Sequence, residues 1–161
     1  LYFVRDFPPW APAIRSSTRI RSAAKRHLAD SSLAAAALGA SVETLVRDPE
    51  TLGFLFESLV AHDLIAYAGA MGAQVRHCHD DSDLGAERVL EAADGFWIPV
   101  EVKLGASQVD AAAKSLLAVK EKMERGGYRS PSALLVVVGV GGVAAKRDDG
   151  VQVATLDTLG V

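Results

Sequence analysis

The chain has 161 residues, of which half are apolar and 23% are charged, with a net charge of −3 and a single cysteine. This composition excludes a disordered tail, a disulfide scaffold and a cysteine-based metal site, and it is typical of one globular domain. The acidic balance gives the whole molecule no electrostatic attraction for nucleic acid, so any such contact must be local. No apolar run approaches the roughly 20 residues of a membrane span. We therefore expect a cytoplasmic protein without membrane contact, which also fits the lone thiol.

Residues 1–30 are predicted to form an arm or linker outside the core. The prolines in "FPPWAP" break regular structure, and the stretch that follows is basic without an apolar period. We expect Trp10 to anchor this arm on the domain. The stretch "LYFVRDFPPW" has neither an initiator Met nor a signal-peptide layout, so a fragment of a longer chain is expected. A solvated or partner-facing arm is favoured over a nucleic-acid patch for the run of cations, which are Arg15, Arg19, Arg21, Lys25, Arg26 and His27.

Three helices are predicted from start and stop signals. The first covers residues 31–39, where "SSLAAAALG" offers a Ser start, an Ala/Leu run and a Gly stop. The second is opened by Asp48 and Pro49, has apolar residues at helical spacing and ends at Gly72. The third runs from about residue 108 to the glycine pair "GG" that follows "KEKMER".

The predicted strands lie between and after these helices. The runs "AQVRHC", "AERVLE" and "WIPVEVKL" begin at residues 73, 86 and 97, and "AADG" joins the last two as a hairpin. The continuous apolar run "SALLVVVGV" is typical of a strand buried on both faces, and a last hairpin turns at Asp149 and Gly150. The order helix, three strands, helix, strand predicts a single α/β domain over residues 31–161, with a mixed sheet of four to five strands flanked by helices.

The stretch "FWIPVEVKLG", residues 96–105, raises a question because two opposite charges lie at the end of a strand that should be buried. A three-residue turn at 93–95 places Glu101 opposite Glu87 and pairs apolar residues with each other elsewhere. A two-residue turn would send Glu87 to the other face of the sheet. The first register is adopted because of its apolar pairs.

Two carboxylates opposed across a ladder repel each other unless a cation lies between them. Lys103 shares the face of Glu101, so these two residues and Glu87 are predicted to converge on a hydrated Mg²⁺ or Mn²⁺, which prefer oxygen ligands. Glu57, in the middle of the second helix, is expected to add an outer carboxylate. Each feature alone is also explained by an exposed ion pair or a solvated helix face. Their joint arrangement favours a site.

The run "RHCHDDSD" from residue 76 offers a second set of candidate ligands. His77 and His79 would share a face of a strand, but no further Cys or His is placed to complete a tetrahedral site. The run is therefore interpreted as a strand that gives way to a polar loop. Cys78 is interpreted as a small hydrophobic residue, since nothing pairs it with a base.

The order of elements and the pattern "FES…E…EVK" resemble the PD-(D/E)xK nuclease-like superfamily. Four longer stretches resemble the domain of unknown function that forms the C-terminal half of many bacterial AAA+-type ATPases: "RHLADSSLAAAALG", "GFLFESLVAHDL", "DGFWIPVEVKLG" and "KRDDGVQVATLDTLG". The resemblance implies a restriction-endonuclease-like fold and an ATPase module upstream as partner. The chain has no GxxxxGK[ST] loop, so no nucleotide site is expected in it.

The resemblance also implies roles for individual residues. Glu57 matches the helical acid, Glu87 the first strand acid, Glu101 the second acid and Lys103 the lysine of the superfamily. Glu87 and Glu101, with the backbone carbonyl of Val102, would hold Mg²⁺ or Mn²⁺. The activity implied is metal-dependent phosphodiester hydrolysis on DNA, in which Lys103 orients a water or stabilises developing negative charge.

The chain departs from the superfamily pattern on the first acid strand. Relatives usually have Glu-x-Asp there, whereas this chain has Gly85, Ala86 and Glu87 in those positions. Arg88 is a second departure, because the adopted register points it to the apolar face opposite Val100. Two functions are therefore kept: a metal-dependent nuclease-like enzyme, and a catalytically inert interaction or oligomerisation module of the ATPase, with a homo-oligomer as one form.

Overall fold

The computed structural model describes residues 4–10, 24–79, 85–141 and 144–159, with the backbone alone for His79 and Gly85. Four helices lie in these ranges: α1 Ser31–Ala37, α2 Val42–Arg47, α3 Pro49–Ala70 and α4 Val109–Arg125. The strands are β1 Val4–Phe7, β2 Lys25–Leu28, β3 Ala73–His79, β4 Gly85–Ala92, β5 Trp97–Gly105, β6 Leu135–Val140, β7 Ala145–Lys146 and β8 Gln152–Thr155. Short 3₁₀ turns follow β5 and β8 at Ala106–Gln108 and Leu156–Thr158.

The three predicted helices are confirmed as α1, α3 and α4, and local chemistry explains their ends. The Asp48 carboxylate caps α3 by accepting from the Thr51 N–H at 3.1 Å, and Pro49 occupies the first turn, where its missing N–H is harmless. Gly72 ends the segment with a φ of +67°, a conformation that favours glycine. Helix α2 is an additional element, with a capping box as its local signal.

The main sheet has the strand order β3-β4-β5-β6-β8-β7. Strands β3, β4 and β5 are antiparallel neighbours, whereas β5, β6 and β8 run parallel, and β7 pairs antiparallel with β8. The prediction of a mixed sheet flanked by helices is therefore confirmed. The predicted four to five strands were too few, because the terminal hairpin adds both of its strands to the same sheet instead of standing apart.

Helix packing on both faces of the sheet creates two apolar layers. Val60, Leu64 and Ala68 of α3 pack on one face, and Ala112, Leu116 and Val119 of α4 belong to the layer on the other face. The middle of strand β6 is buried on both faces, as predicted, with Val136, Val137 and Val138 inaccessible, whereas its last residue, Val140, is exposed. Helix α3 has 22 residues and an 18-residue window with a mean hydropathy of 1.2, so it is long and apolar enough to cross a membrane by length and composition only. Its residues Val60, Leu64 and Ala68 pack on the sheet.

The described part of residues 1–30 forms an antiparallel hairpin of β1 and β2 beside the main sheet. Trp10 is buried, stacks on Trp97 with ring centroids 4.6 Å apart and donates from Nε1 to Glu91 at 3.2 Å, so its predicted anchoring role is confirmed. The backbone N–H of Trp10 donates to the His77 carbonyl, and the N–H of His77 donates to the Pro8 carbonyl. Lys25, Arg26 and His27 lie in β2, whereas Arg15, Arg19 and Arg21 lie outside the described residues.

Candidate functional site

The β4–β5 hairpin has the register that the sequence favoured. Leu90 lies opposite Ile98 and Arg88 opposite Val100, with a three-residue turn in which Gly95 has a φ of +81°. Only glycine adopts this conformation readily. The ladder ends at the Arg88–Val100 pair, one residue short of Glu87 on β4 and one residue short of Glu101 on β5.

A β-bulge interrupts the other side of β4 at the same place. Between the pairs Arg76–Val89 and Cys78–Ala86, β3 advances two residues while β4 advances three. The extra residue falls in the Glu87–Arg88 segment. A bulge bends the strand and turns its side chains away from simple alternation, so the two adjacent side chains are not constrained to opposite faces of the sheet. Sequence reasoning missed this bulge.

Glu87, Glu101 and Lys103 come together as predicted. The Lys103 Nζ lies 2.7 Å from Glu87 Oε1 and 2.9 Å from Glu101 Oε2, so one ammonium bridges two carboxylates. The side chains of Glu101, Glu87 and Lys103 are 8%, 18% and 23% exposed. The lysine thus lies between the acids, where the sequence analysis placed a metal ion with the ammonium beside it.

The other oxygen of Glu87 bonds to the backbone of β5. Its Oε2 accepts from the Val102 N–H at 3.0 Å, a bond that joins a side chain to a backbone group at the β4–β5 boundary. In an antiparallel pair, the N–H and C=O of one residue face the same neighbour. The Val102 carbonyl, a predicted metal ligand, therefore faces the same gap as this carboxylate.

Glu57 adds negative charge from helix α3. Its carboxylate lies 4.0 Å from the Lys25 ammonium of β2. Burial and, to a smaller extent, the charge of Glu87 raise the pKa of Glu57, which places the two carboxylates within electrostatic reach of each other. Glu57 makes no direct bond to Glu101 or Lys103 among the described contacts.

The cluster places two carboxylates, those of Glu87 and Glu101, against one ammonium, that of Lys103. Burial, followed by the charge of Glu87, raises the pKa of Glu101 despite its bond to Lys103. Burial opposes the charged form of Lys103, but the Glu87 and Glu101 carboxylates outweigh it and raise the pKa of the ammonium above its usual range. Lys103 is therefore a charged ammonium at neutral pH, and burial disfavours the ionised form of the Glu101 carboxyl beside it.

The cluster borders a groove of about 590 Å³ between the start of α3 and the end of β5. Glu57, Val102 and Lys103 line it together with Phe54, whose ring is exposed, and Gln108. The groove gives the Lys103 ammonium and the Glu57 carboxyl access to a ligand from solvent.

Arg88, noted above as a departure from the superfamily pattern, lies opposite Val100, as the adopted register predicted. Its side chain is buried, donates from Nη1 to the Glu87 carbonyl, and contacts His27 Nε2 through Nη2. Its Nε has no hydrogen-bond partner within the described residues. The position of Arg88 among apolar residues of a strand could have indicated its role from the sequence. No sequence pattern indicated the role of His27, which lies in a run of basic residues.

Oxygen donors suit Mg²⁺ or Mn²⁺, and the Glu87 and Glu101 carboxylates with the Val102 carbonyl fit that donor chemistry. Within residues 4–10, 24–79, 85–141 and 144–159, no group of three or more His, Cys, Asp and Glu side chains is close enough to hold a metal by itself. The ligand set would thus need the backbone carbonyl and water. Cys78 is partly buried and packs against the α4-side core, which agrees with its interpretation as a small hydrophobic residue. His77 is buried beside the N-terminal segment, and the polar end of that run, residues 80–83, lies outside the described residues.

Comparison with known proteins identifies the family of the chain. No curated protein and no solved structure matches it. A family model, described as a domain of unknown function (DUF4143), matches residues 52–159, which is more than half of the chain and includes Glu57, Glu87, Glu101 and Lys103. The chain belongs to the DUF4143 family of domains of unknown function.

Proposed function

We propose that the chain is a nuclease-like domain in which Glu87, Glu101 and Lys103 form a Mg²⁺- or Mn²⁺-dependent phosphodiesterase site acting on DNA. The observation that carries the proposal is the convergence of a buried carboxylate, Glu101, and a partly buried one, Glu87, on one ammonium, where a bulge in β4 adjoins a bond from the Glu87 side chain to the backbone of β5. The proposal includes the restriction-endonuclease-like fold, a cytoplasmic location and an AAA+-type ATPase module upstream as the partner of this domain.

The surroundings of the cluster support a catalytic role over a purely structural one. Bulges occur preferentially next to active sites, where they redirect side chains. Acids with raised pKa values beside a groove are also typical of functional sites, since a protein has no structural need to bury them together. The groove supplies room for a phosphodiester, and Lys103 supplies a cation at its edge.

The charge balance of the site supports a divalent cation as its missing component. Three carboxyl groups, Glu57, Glu87 and Glu101, lie around Lys103 and the more distant Lys25. Burial, followed by the negative charge of Glu87, raises the pKa values of both Glu57 and Glu101. A divalent ion would relieve this repulsion and stabilise the ionised carboxylates.

In the proposed reaction, Glu87, Glu101 and the Val102 carbonyl would hold the ion, which would supply Lewis acidity at a phosphoryl oxygen and at water. Lys103 donates a hydrogen bond to a non-bridging phosphate oxygen, where negative charge increases in the transition state. Glu57, at the groove wall, accepts a hydrogen bond from a water and orients it. Bonding of the Val102 N–H to Glu87 keeps this carboxylate from rotating out of the site.

Calorimetric titration with MgCl₂ and MnCl₂ tests the proposal. The wild type is expected to bind one ion per chain, and Glu101→Gln to bind at least about tenfold more weakly because a charged ligand is lost at constant shape. Glu121→Gln is the matched control, since Glu121 is an exposed acid paired with Arg125 on α4. The same three proteins are incubated with linear and supercoiled DNA, and cleavage is expected for the wild type and the control.

Folded wild-type protein that binds neither ion and cleaves no DNA would overturn the proposal. It would favour the second candidate, an inert interaction or oligomerisation module of the ATPase. One observation favours that candidate: the Lys103 ammonium already bonds both carboxylates, which is the role a metal would have. The module predicts a stable complex with the ATPase part that Glu101→Gln leaves intact.

A further inference from the structure

We infer that the N-terminal hairpin is part of the site, because His27 of β2 holds Arg88, and Arg88 in turn fixes the bulge that aims the Glu87 carboxylate at Val102 and Lys103. His27 and Arg88 are positioning residues in this arrangement. The inference rests on the proposed function only in describing Glu87 as a metal ligand. The positioning itself is a property of the hydrogen-bond chain.

The chain of contacts is continuous from the hairpin to the carboxylate. The Arg88 guanidinium contacts His27 Nε2 and also donates to the carbonyl of Glu87, the residue next to it in the bulge. His27 Nδ1 lies 3.3 Å from Ser58 Oγ on α3. The Phe7 ring lies 4.9 Å from the Arg88 guanidinium carbon and makes an edge contact with the His27 ring. Three elements thus enclose one buried cation.

The chemistry of these groups assigns the protons. Arginine has no acceptor and remains protonated, so His27 Nε2 must accept from Arg88 and His27 must be neutral. The imidazole proton is therefore on Nδ1, from which it is donated to Ser58. Burial, followed by the charges of Arg88 and Lys25, lowers the pKa of His27 to about 4, in agreement with this assignment.

Burial of a guanidinium without hydrogen-bond partners is strongly unfavourable. The groups that bond to Arg88 are therefore held in place around it. Arg88 is 1% exposed, and its Nε lacks a partner within the described part of the chain. Loss of either of its remaining hydrogen bonds, to His27 or to the Glu87 carbonyl, would therefore destabilise the folded state. Removing the imidazole acceptor would let the guanidinium seek another acceptor, and the Glu87 backbone would move with it.

Amide hydrogen exchange at Val102, followed by NMR, measures the position of the Glu87 carboxylate directly, because the Val102 N–H donates to it. His27→Phe keeps an aromatic ring but removes the acceptor, and His27→Gln restores an acceptor. Val102 is expected to exchange about tenfold faster in His27→Phe, as loss of one charge-assisted bond implies. Its rate is expected to remain near the wild-type value in His27→Gln.

Two controls separate positioning from general loss of stability. Arg26→Ala removes an exposed neighbour on the same strand, paired with Asp6, and leaves Val102 exchange unchanged. Val137 in buried strand β6 reports global opening, and its rate is expected to change much less than that of Val102 in His27→Phe. If His27→Phe does not fold, Ser58→Ala removes the partner of His27 Nδ1, and about threefold faster exchange at Val102 is expected.

The inference is overturned if Val102 exchange does not change in the folded variants, or if it rises in equal proportion to Val137. Titration with MnCl₂ on the same proteins tests the proposed function separately. A Val102 response without Mn²⁺ binding in the wild type would retain the positioning and refute the metal site. Mn²⁺ binding without a Val102 response would retain the metal site and refute the positioning.

Discussion

Replacement of Lys103 by Met removes the ammonium that bridges Glu87 and Glu101 while keeping most of the side-chain volume. Two charge-assisted bonds of 2.7 and 2.9 Å are lost, and two carboxylates are left facing each other with at most 18% exposure. Removal of one partner from a buried ion pair typically costs about 3–5 kcal/mol, and partial exposure of Glu87 favours the lower end. We expect a loss of about 3 kcal/mol in the free energy of unfolding at pH 7.

The loss in the free energy of unfolding is expected to be smaller at pH 5 than at pH 7. Burial already raises the pKa of Glu101 in the folded state, and loss of the ammonium that opposes this effect raises it further. The folded variant then binds more protons than the unfolded chain, so its stability increases as the pH falls from 7 towards 5. The difference in the free energy of unfolding from the wild type should shrink by about 1.4 kcal/mol for each pH unit over which one extra proton is bound.

Urea denaturation followed by circular dichroism at pH 7 and pH 5 measures both effects. Lys120→Met is the matched control, because Lys120 is 41% exposed and forms only an i,i+4 pair with Glu124 at 3.9 Å. Its expected cost is below about 0.5 kcal/mol at either pH. The reasoning fails if Lys103→Met unfolds with the same midpoint as the control, or if its deficit is equal at the two pH values.

Three further predictions concern the parts that support the site. Gly139→Ala is expected to lower the free energy of unfolding, measured in urea, by about 1–3 kcal/mol, because the new Cβ would lie 3.2 Å from the Phe56 ring. Gly53 has open space around its Cα, so Gly53→Ala should instead stabilise α3 by up to about 1 kcal/mol. Trp10→Ala is expected to lower the free energy of unfolding by about 3–5 kcal/mol in the same measurement, and Trp10→Phe, whose ring can still stack on Trp97, is expected to lose less. Equal losses in both variants would contradict the stacking argument. Since the pKa of His27 falls from 6.5 to about 4 on folding, stability should decline as the pH falls through this range, and His27→Gln should flatten the slope.

The sequence predicted the elements whose signals are local. Asp48 and Pro49 open α3, Gly72 closes it, and the turn around Gly95 sets the β4–β5 register. These features depend on the chemistry of a few neighbouring residues, so the proximity of Glu87 and Glu101 on adjacent strands could be predicted from the turn. The approach of Lys103 to both acids then followed from the strand period.

Features that depend on distant parts of the chain were not predictable in the same way. The bulge at Glu87 and Arg88 arises from pairing with β3, whose register no local pattern specifies. The pairing of β1 with β2 joins segments separated by residues 8–24, and the basic sequence of β2 lacks the apolar alternation of a strand. The ammonium position was missed for a different reason, since residue spacing gives a face of the sheet but no distances between side-chain atoms.

The contacts of Trp10 and Pro8 with His77 have a consequence for how the domain is best produced. Strand β3 is the outer strand of the main sheet, and the backbone of this N-terminal segment occupies its free edge. A fragment trimmed to the family match at residues 52–159 would lack this cover and present unpaired backbone groups to solvent. Such an edge recruits strands from other molecules, so the trimmed fragment should aggregate on expression while a fragment that keeps the hairpin remains monodisperse.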